Sequence, residues 1–162
     1  MTAFSKILIA NRGEIAVRVI RTARQLGYRT VAVYSEADAQ ALHVQWADQA
    51  VCIGPAAINE SYLRIDKIIA AAKLTGADAI HPGYGFLSEN AEFSNVCEAE
   101  GVIFIGPSAP AIELMGSKRL SKIAMLAAGV PCIPGYQGDD QSDQTLLKKA
   151  LDVGFPLMVK AS

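Results

Sequence analysis

Short apolar runs alternate along this chain with longer stretches in which apolar residues return every third or fourth position. The first run, Lys6–Ala10, reads as a short strand, with Asn11-Arg12-Gly13 as the turn that leaves it. Over Glu14–Leu26 the period changes. Ile15, Ala16, Val19, Ile20, Ala23 and Leu26 repeat at helical spacing, while Arg18, Arg21, Arg24 and Gln25 take the remaining surface. Gly27 is placed to end that helix. Thr30–Tyr34 is rich in β-branched residues and reads as a second strand. Strand, helix and strand in this order form a βαβ unit, whose crossover is right-handed and whose strands are parallel.

The alternation continues. Ser35–Asp38 leads into a short helix carrying His43 and Trp46, and Ala50–Ile53 reads as a third strand. A loop through Gly54-Pro55 reaches a helix over Ile65–Leu74, with Ile65, Ile68, Ile69 and Ala72 inward and Gly76 at its end. Ala77–Ile80 and Val102–Ile105 are two further strands. Between them Pro82, Gly83 and Gly85 forbid regular structure for several residues, and a helix follows at once. Ser88 or Asn90 can cap it, Glu89 and Glu92 suit its positive end, and Phe93, Val96 and Cys97 form an apolar face. The whole pattern predicts an α/β domain of three layers around a Rossmann-like parallel sheet.

Past Gly106-Pro107 the rhythm changes. Ala109–Met115 and Lys118–Ala128 read as successive helices, the second capped by Ser117 and stopped by Gly129. Pro131, Pro134 and Gly135 make a rigid connection, Gln137–Gln144 is polar, Asp143–Val153 is a further helix, and Pro156–Lys160 begins another strand. A strand interrupted at the last residue is an odd domain boundary, so the reading is of a fragment. Residues 1–116 are expected to form one domain and 117–162 the incomplete start of a second.

Composition narrows the function classes. Hydrophobic residues make up 51% and charged residues 19%, a globular balance. A net charge of −1 and the absence of any basic tract argue against nucleic acid as a partner. No apolar run approaches the ~20 residues needed to cross a bilayer, and no signal-peptide pattern opens the chain. Cys52, Cys97 and Cys132 show no metal-ligand spacing and read as free buried thiols, which favours a reducing, cytoplasmic setting.

The opening βαβ unit invites a dinucleotide, and Glu36 falls where a ribose-binding acid would sit. The glycine pattern argues otherwise, because the first turn carries one glycine in place of Gly-x-Gly-x-x-Gly. There is no Walker-type phosphate loop either. Two lysines remain as phosphate candidates. Lys118 follows Gly116-Ser117 at a helix start, where the dipole favours an anion. Lys160 sits among Leu157, Met158 and Val159, where a lysine needs a partner or a route to the surface. A solvated or snorkelling lysine is the plainer explanation of each. The stretch His81–Asn90 lies at the carboxyl edge of a strand, where open α/β sheets bind ligands. His81 orients the loop, contacts a ligand or caps the strand end, the structural role being favoured; Glu89 compensates a helix dipole.

The stretch His81-Pro82-Gly83-Tyr84-Gly85-Phe86-Leu87-Ser88-Glu89-Asn90 resembles the N-terminal signature of biotin carboxylases. Ile9–Ala16, Ile103–Pro107 and Met115–Lys118 match the same family in the same order, so the resemblance covers essentially the whole chain. It implies a pre-ATP-grasp domain followed by the truncated start of an ATP-grasp domain. It implies an ATP-dependent ligase that phosphorylates bicarbonate with ATP and Mg2+ and carboxylates biotin borne on a carrier domain, with a carboxyltransferase subunit as further partner. Within that family Lys118 and Lys160 would bind ATP phosphates. His81, Gly83, Tyr84 and Gly85 would shape one wall of the cleft, and Arg18 and Arg21 resemble residues of a homodimer face. No catalytic or metal-binding residue of the family falls within this chain, so the fragment is expected to be inactive alone. Gly135–Gln144 is most similar to methylcrotonyl-CoA or geranyl-CoA carboxylase α subunits, although acyl-CoA choice would reside in the partner. The competing class is a non-catalytic binding or assembly module that keeps only the N-terminal fold. A third is another ATP-grasp ligase acting on an amine or ribonucleotide, which should not carry all four motifs.

Overall fold

The computed structural model describes residues 4–159. They divide into two compact units, the first ending at Ile112 and the second starting at Glu113. The first unit holds five strands, β1 (Lys6–Ile9), β2 (Arg29–Ser35), β3 (Gln49–Gly54), β4 (Ala79–His81) and β5 (Ile103–Phe104). They lie in the order β3-β2-β1-β4-β5, every neighbouring pair parallel. Helices α1 (Gly13–Gln25), α2 (Leu42–Trp46), α3 (Ile65–Thr75) and α4 (Ala91–Ala99) connect them.

Neighbouring strand residues point to opposite faces of a sheet. Leu8, Ala10, Val31, Val33 and Ile80 therefore meet Ile68, Ile69 and Ala72 of α3 and Phe93 and Cys97 of α4 on one face. Ile7, Ile9, Ala32 and Ala79 meet Ala16, Ile20 and Ala23 of α1 on the other. With both faces covered, the strands have no polar side to show, which is why they read as unbroken apolar runs. Two carboxylates bolt the amino-terminal edge. Asp78 accepts from the Ser5 and Lys6 amides at 2.9 and 2.8 Å, and Asp48 accepts from the Thr30 amide and hydroxyl at 2.7 and 2.8 Å.

Three expectations need correction. Leu26 is 69% exposed, because the helix ends at Gln25 and the chain turns at Gly27. Of the three free thiols only Cys97 is buried, and Cys52 is exposed on β3, an edge strand. No strand forms over Pro156–Val159; a strand needs a neighbour to receive its backbone bonds, and no described residues of the second unit supply one. Lys160 lies outside the described residues.

The second unit contains α6 (Lys118–Ala127) and α7 (Asp143–Val153), and α5 (Ala109–Gly116) runs across the division at Ile112. Ser117 caps α6 by accepting from the Leu120 amide, and Ser142 caps α7 by accepting from the Thr145 amide. Neither α6 nor α7 has a buried residue.

Candidate functional site

Strand order reverses between β1 and β4, so the carboxyl ends of these two strands flank the crevice where open α/β sheets take their ligands. Two loops meet there, Asn11-Arg12-Gly13 after β1 and His81–Asn90 from the end of β4. Asn11 is 1% exposed, and its Nδ2 donates to the Pro82 carbonyl at 2.9 Å and to the Tyr84 carbonyl at 2.8 Å. Gly83 has φ +68, and a Cβ there would lie 2.7 Å from Asn11 Nδ2. A buried asparagine thus ties the backbone of the second loop to the first.

His81 orients the loop directly. Its Nδ1 accepts from the Gly83 amide at 3.0 Å, which fixes that nitrogen as the unprotonated one. Burial lowers the pKa of His81, so the neutral ring that this bond requires is also the favoured one. The Ser88 amide donates to the Gly85 carbonyl at 2.9 Å, and Asn90 caps α4 by accepting from Phe93. The loop tip projects outward, Tyr84 being 66% exposed. Arg18 lies 5.6 Å from the Tyr84 ring centroid and 3.6 Å from Glu14, so this candidate interface residue touches the loop of its own chain. Arg21 is exposed on the same helix.

Behind the loop stands a polar network that sequence reading missed. Arg12 Nε lies 3.0 Å from Asp38 Oδ2, and Arg12 Nη2 donates to Oδ1 at 3.0 Å. The Tyr62 hydroxyl donates to Asp38 at 2.6 Å and accepts from the Ser35 amide at 2.9 Å. Burial works to raise the pKa of Asp38, but hydrogen bonds from Tyr62 and Ser35 and the Arg12 charge outweigh it and hold the carboxyl below its ordinary range. Burial and the bond to Asp38 push the Tyr62 phenol up to about 12. The Tyr62 ring stacks on Phe86 with centroids 5.3 Å apart and planes 6° from parallel. His43 faces the Val33 carbonyl through Nε2 at 3.3 Å, while its buried Nδ1 has no hydrogen-bond partner among the described residues; burial lowers its pKa.

The structure brings His81, Gly83, Tyr84, Gly85 and Arg18 together in the first unit. Lys118 opens α6 in the second unit and is exposed. Its place at a capped helix start fits a phosphate contact. Among the described residues no three His, Cys, Asp or Glu side chains converge as metal ligands. No helix of the described residues is long and apolar enough to cross a membrane. The site holds a hydrogen-bonded loop with an exposed phenol at its tip.

These features define a Rossmann-like α/β domain that displays the His81–Asn90 loop at its switch point. Residues 3–112 match the family described as biotin carboxylase, N-terminal domain, and the chain belongs to that family. It is 61% identical over 157 residues to the mitochondrial methylcrotonoyl-CoA carboxylase subunit alpha of Dictyostelium discoideum, covering 97% of this chain and 22% of that protein. It resembles the biotin carboxylase of Campylobacter jejuni in complex with beta-gamma-ATP, with TM-score 0.91 and 49% identity over 95% of this chain and 34% of that one. It also resembles the biotin carboxylase domain dimer of Hydrogenobacter thermophilus 2-oxoglutarate carboxylase in complex with MgADP, ADP and bicarbonate, with TM-score 0.90 and 47% identity, covering 96% and 34%. The chain therefore spans between about a fifth and a third of the length of these proteins.

Proposed function

We propose that this chain is the N-terminal part of an ATP-dependent biotin carboxylase, a ligase that carboxylates protein-borne biotin within an acyl-CoA carboxylase. The observation that carries the reading is the His81–Asn90 loop, held at the switch point by Asn11 and His81 and belonging to a chain alike to carboxylases over nearly all its length. ATP, bound with Mg2+, would supply the phosphoryl group that activates bicarbonate. Lys118 and Lys160 would neutralise its phosphates, while His81, Gly83, Tyr84 and Gly85 would form one wall of the cleft. Residues 1–116 would be the pre-ATP-grasp domain and 117–162 the opening elements of the ATP-grasp domain. Arg18 and Arg21 would lie on a homodimer face, and a biotin carboxyl carrier domain and a carboxyltransferase subunit would be the partners. Free thiols suit a reducing compartment such as the cytoplasm.

The test is bicarbonate-dependent ATP cleavage with free biotin as acceptor, run on the full-length parent protein and on residues 1–162. Turnover by the parent and none by the 162-residue chain is expected. A parent that binds its partners yet cleaves no ATP would replace this reading with that of an assembly module.

A further inference from the structure

Phe86 is the only non-glycine residue with positive φ among the described residues, at +46. Side chains disfavour that region, and where a residue is held in it the surroundings must impose it. Here the Tyr62 ring lies flat against Phe86, and Tyr62 is itself immobilised by its hydroxyl's bonds to Asp38 and Ser35. The Arg12 guanidinium, 5.8 Å from the Tyr62 ring centroid, is anchored to the same Asp38. Two residues before Phe86, the Tyr84 carbonyl is held by Asn11 and the Tyr84 side chain points outward. The loop tip is thus gripped on both sides, by Asn11 on its carbonyls and by Tyr62 on its aromatic ring.

We infer that Tyr62 and Phe86 are positioning residues, whose stack holds the strained backbone after Tyr84 and so fixes Tyr84 at the ligand-facing edge. The inference rests on the carboxylase reading for what Tyr84 faces, but the holding of the loop does not depend on it. Both rings act through Tyr84.

Two measurements on the full-length protein test this. Phe86→Gly removes the ring while giving the backbone a residue at ease with φ +46. Amide exchange at Gly83 and Ser88, held by bonds to His81 Nδ1 and the Gly85 carbonyl, should accelerate by about tenfold or more while sheet amides stay unchanged. Tyr62→Leu should loosen the same two amides, whereas Phe86→Tyr, which keeps the ring, should leave them at wild-type rates. Unaltered exchange at both amides in Phe86→Gly would overturn the holding role. The second measurement is kcat/KM for biotin-dependent ATP cleavage in a double-mutant cycle. Phe86→Gly should cost about tenfold alone and almost nothing in a Tyr84→Ala background. Additive losses would mean that Phe86 does not act through Tyr84. If the wild-type protein has no carboxylase activity, the functional reading fails, while the exchange result still decides whether the stack holds the loop.

Discussion

The two units carry similar helical patterns and treat them in opposite ways. In the first, the apolar stripes of α1, α3 and α4 close against the sheet, and Ile20, Ile68 and Phe93 are fully buried. In the second, α6 and α7 have stripes of the same kind, yet Leu147 of α7 is 64% exposed and no residue of either helix is buried. Periodicity therefore announces a helix without saying whether its stripe has a partner. The direct way to break this comparison is a matched pair of truncations. Phe93→Ala should cost about 3–5 kcal/mol of unfolding free energy, from lost transfer and the cavity left behind. Leu147→Ala should stay within about 0.5 kcal/mol, since it removes little that is packed. Denaturant unfolding of both variants measures this, and equal costs would mean that the second unit has a core after all.

The next largest effect belongs to the switch-point loop. Gly83→Val places a branched side chain at φ +68 and drives its Cβ into Asn11. Overpacking and a left-handed backbone together should cost about 2–4 kcal/mol. Thermal unfolding should fall accordingly. Unchanged thermal stability would mean that the loop is looser than its contacts with Asn11 imply.

How far the sequence carries can be judged from where each signal is stored. Helix α7 falls at Asp143–Val153 as the pattern predicts, because a serine cap and helical spacing are local information. The strands β1 to β4 fall within a residue or two of their apolar runs, since both sheet faces are covered. The strand expected over Pro156–Lys160 fails across its described part, because pairing is not local. At the site, the His81–Asn90 loop was legible through its glycines and its resemblance to biotin carboxylases. The contacts made by Asn11, Asp38, Tyr62 and Phe86 were not. Asn11 read as a turn residue within a family motif, with nothing to say what it bonds, and Tyr62 sits in a connection with no period at all. Their roles come from hydrogen bonds and a ring stack spanning 24 to 73 residues, which no local spacing encodes.

A gentler perturbation is pH, which should act on one unit only. Both histidines, His43 and His81, lie in the first unit, and burial lowers the pKa of each below its ordinary 6.5. Between the lowered value and 6.5 the unfolded chain binds a proton that the folded chain does not. Stability is thus fully present above about 6.5 and lost as pH falls. The unfolding midpoint of the first unit should drop between about pH 7 and pH 5, while the helicity of the second unit, which has no histidine, stays level. A midpoint flat over that window would mean that His43 and His81 accept protons in the native state without cost.

The smallest effect sharpens the comparison most, because the same chemistry is applied to both units. Asn90 caps α4 with a 2.8 Å bond from Phe93, and Ser117 caps α6 with a 3.2 Å bond from Leu120. Replacing either by alanine removes one acceptor from a helix start, worth about 1 kcal/mol. In α4 that loss is coupled to the fold, since Phe93 and Cys97 anchor the helix in the sheet core, so Asn90→Ala should lower global stability by nearly the whole amount. Helix α6 has no buried anchor, and helices of its length are marginal without one. Ser117→Ala should therefore leave the first unit's unfolding midpoint where it was and instead speed amide exchange within α6 alone. If Ser117→Ala shifted that midpoint as Asn90→Ala does, the two units would be folding as one, and the exposure of α6 and α7 would have to be read as the surface of a single cooperative structure.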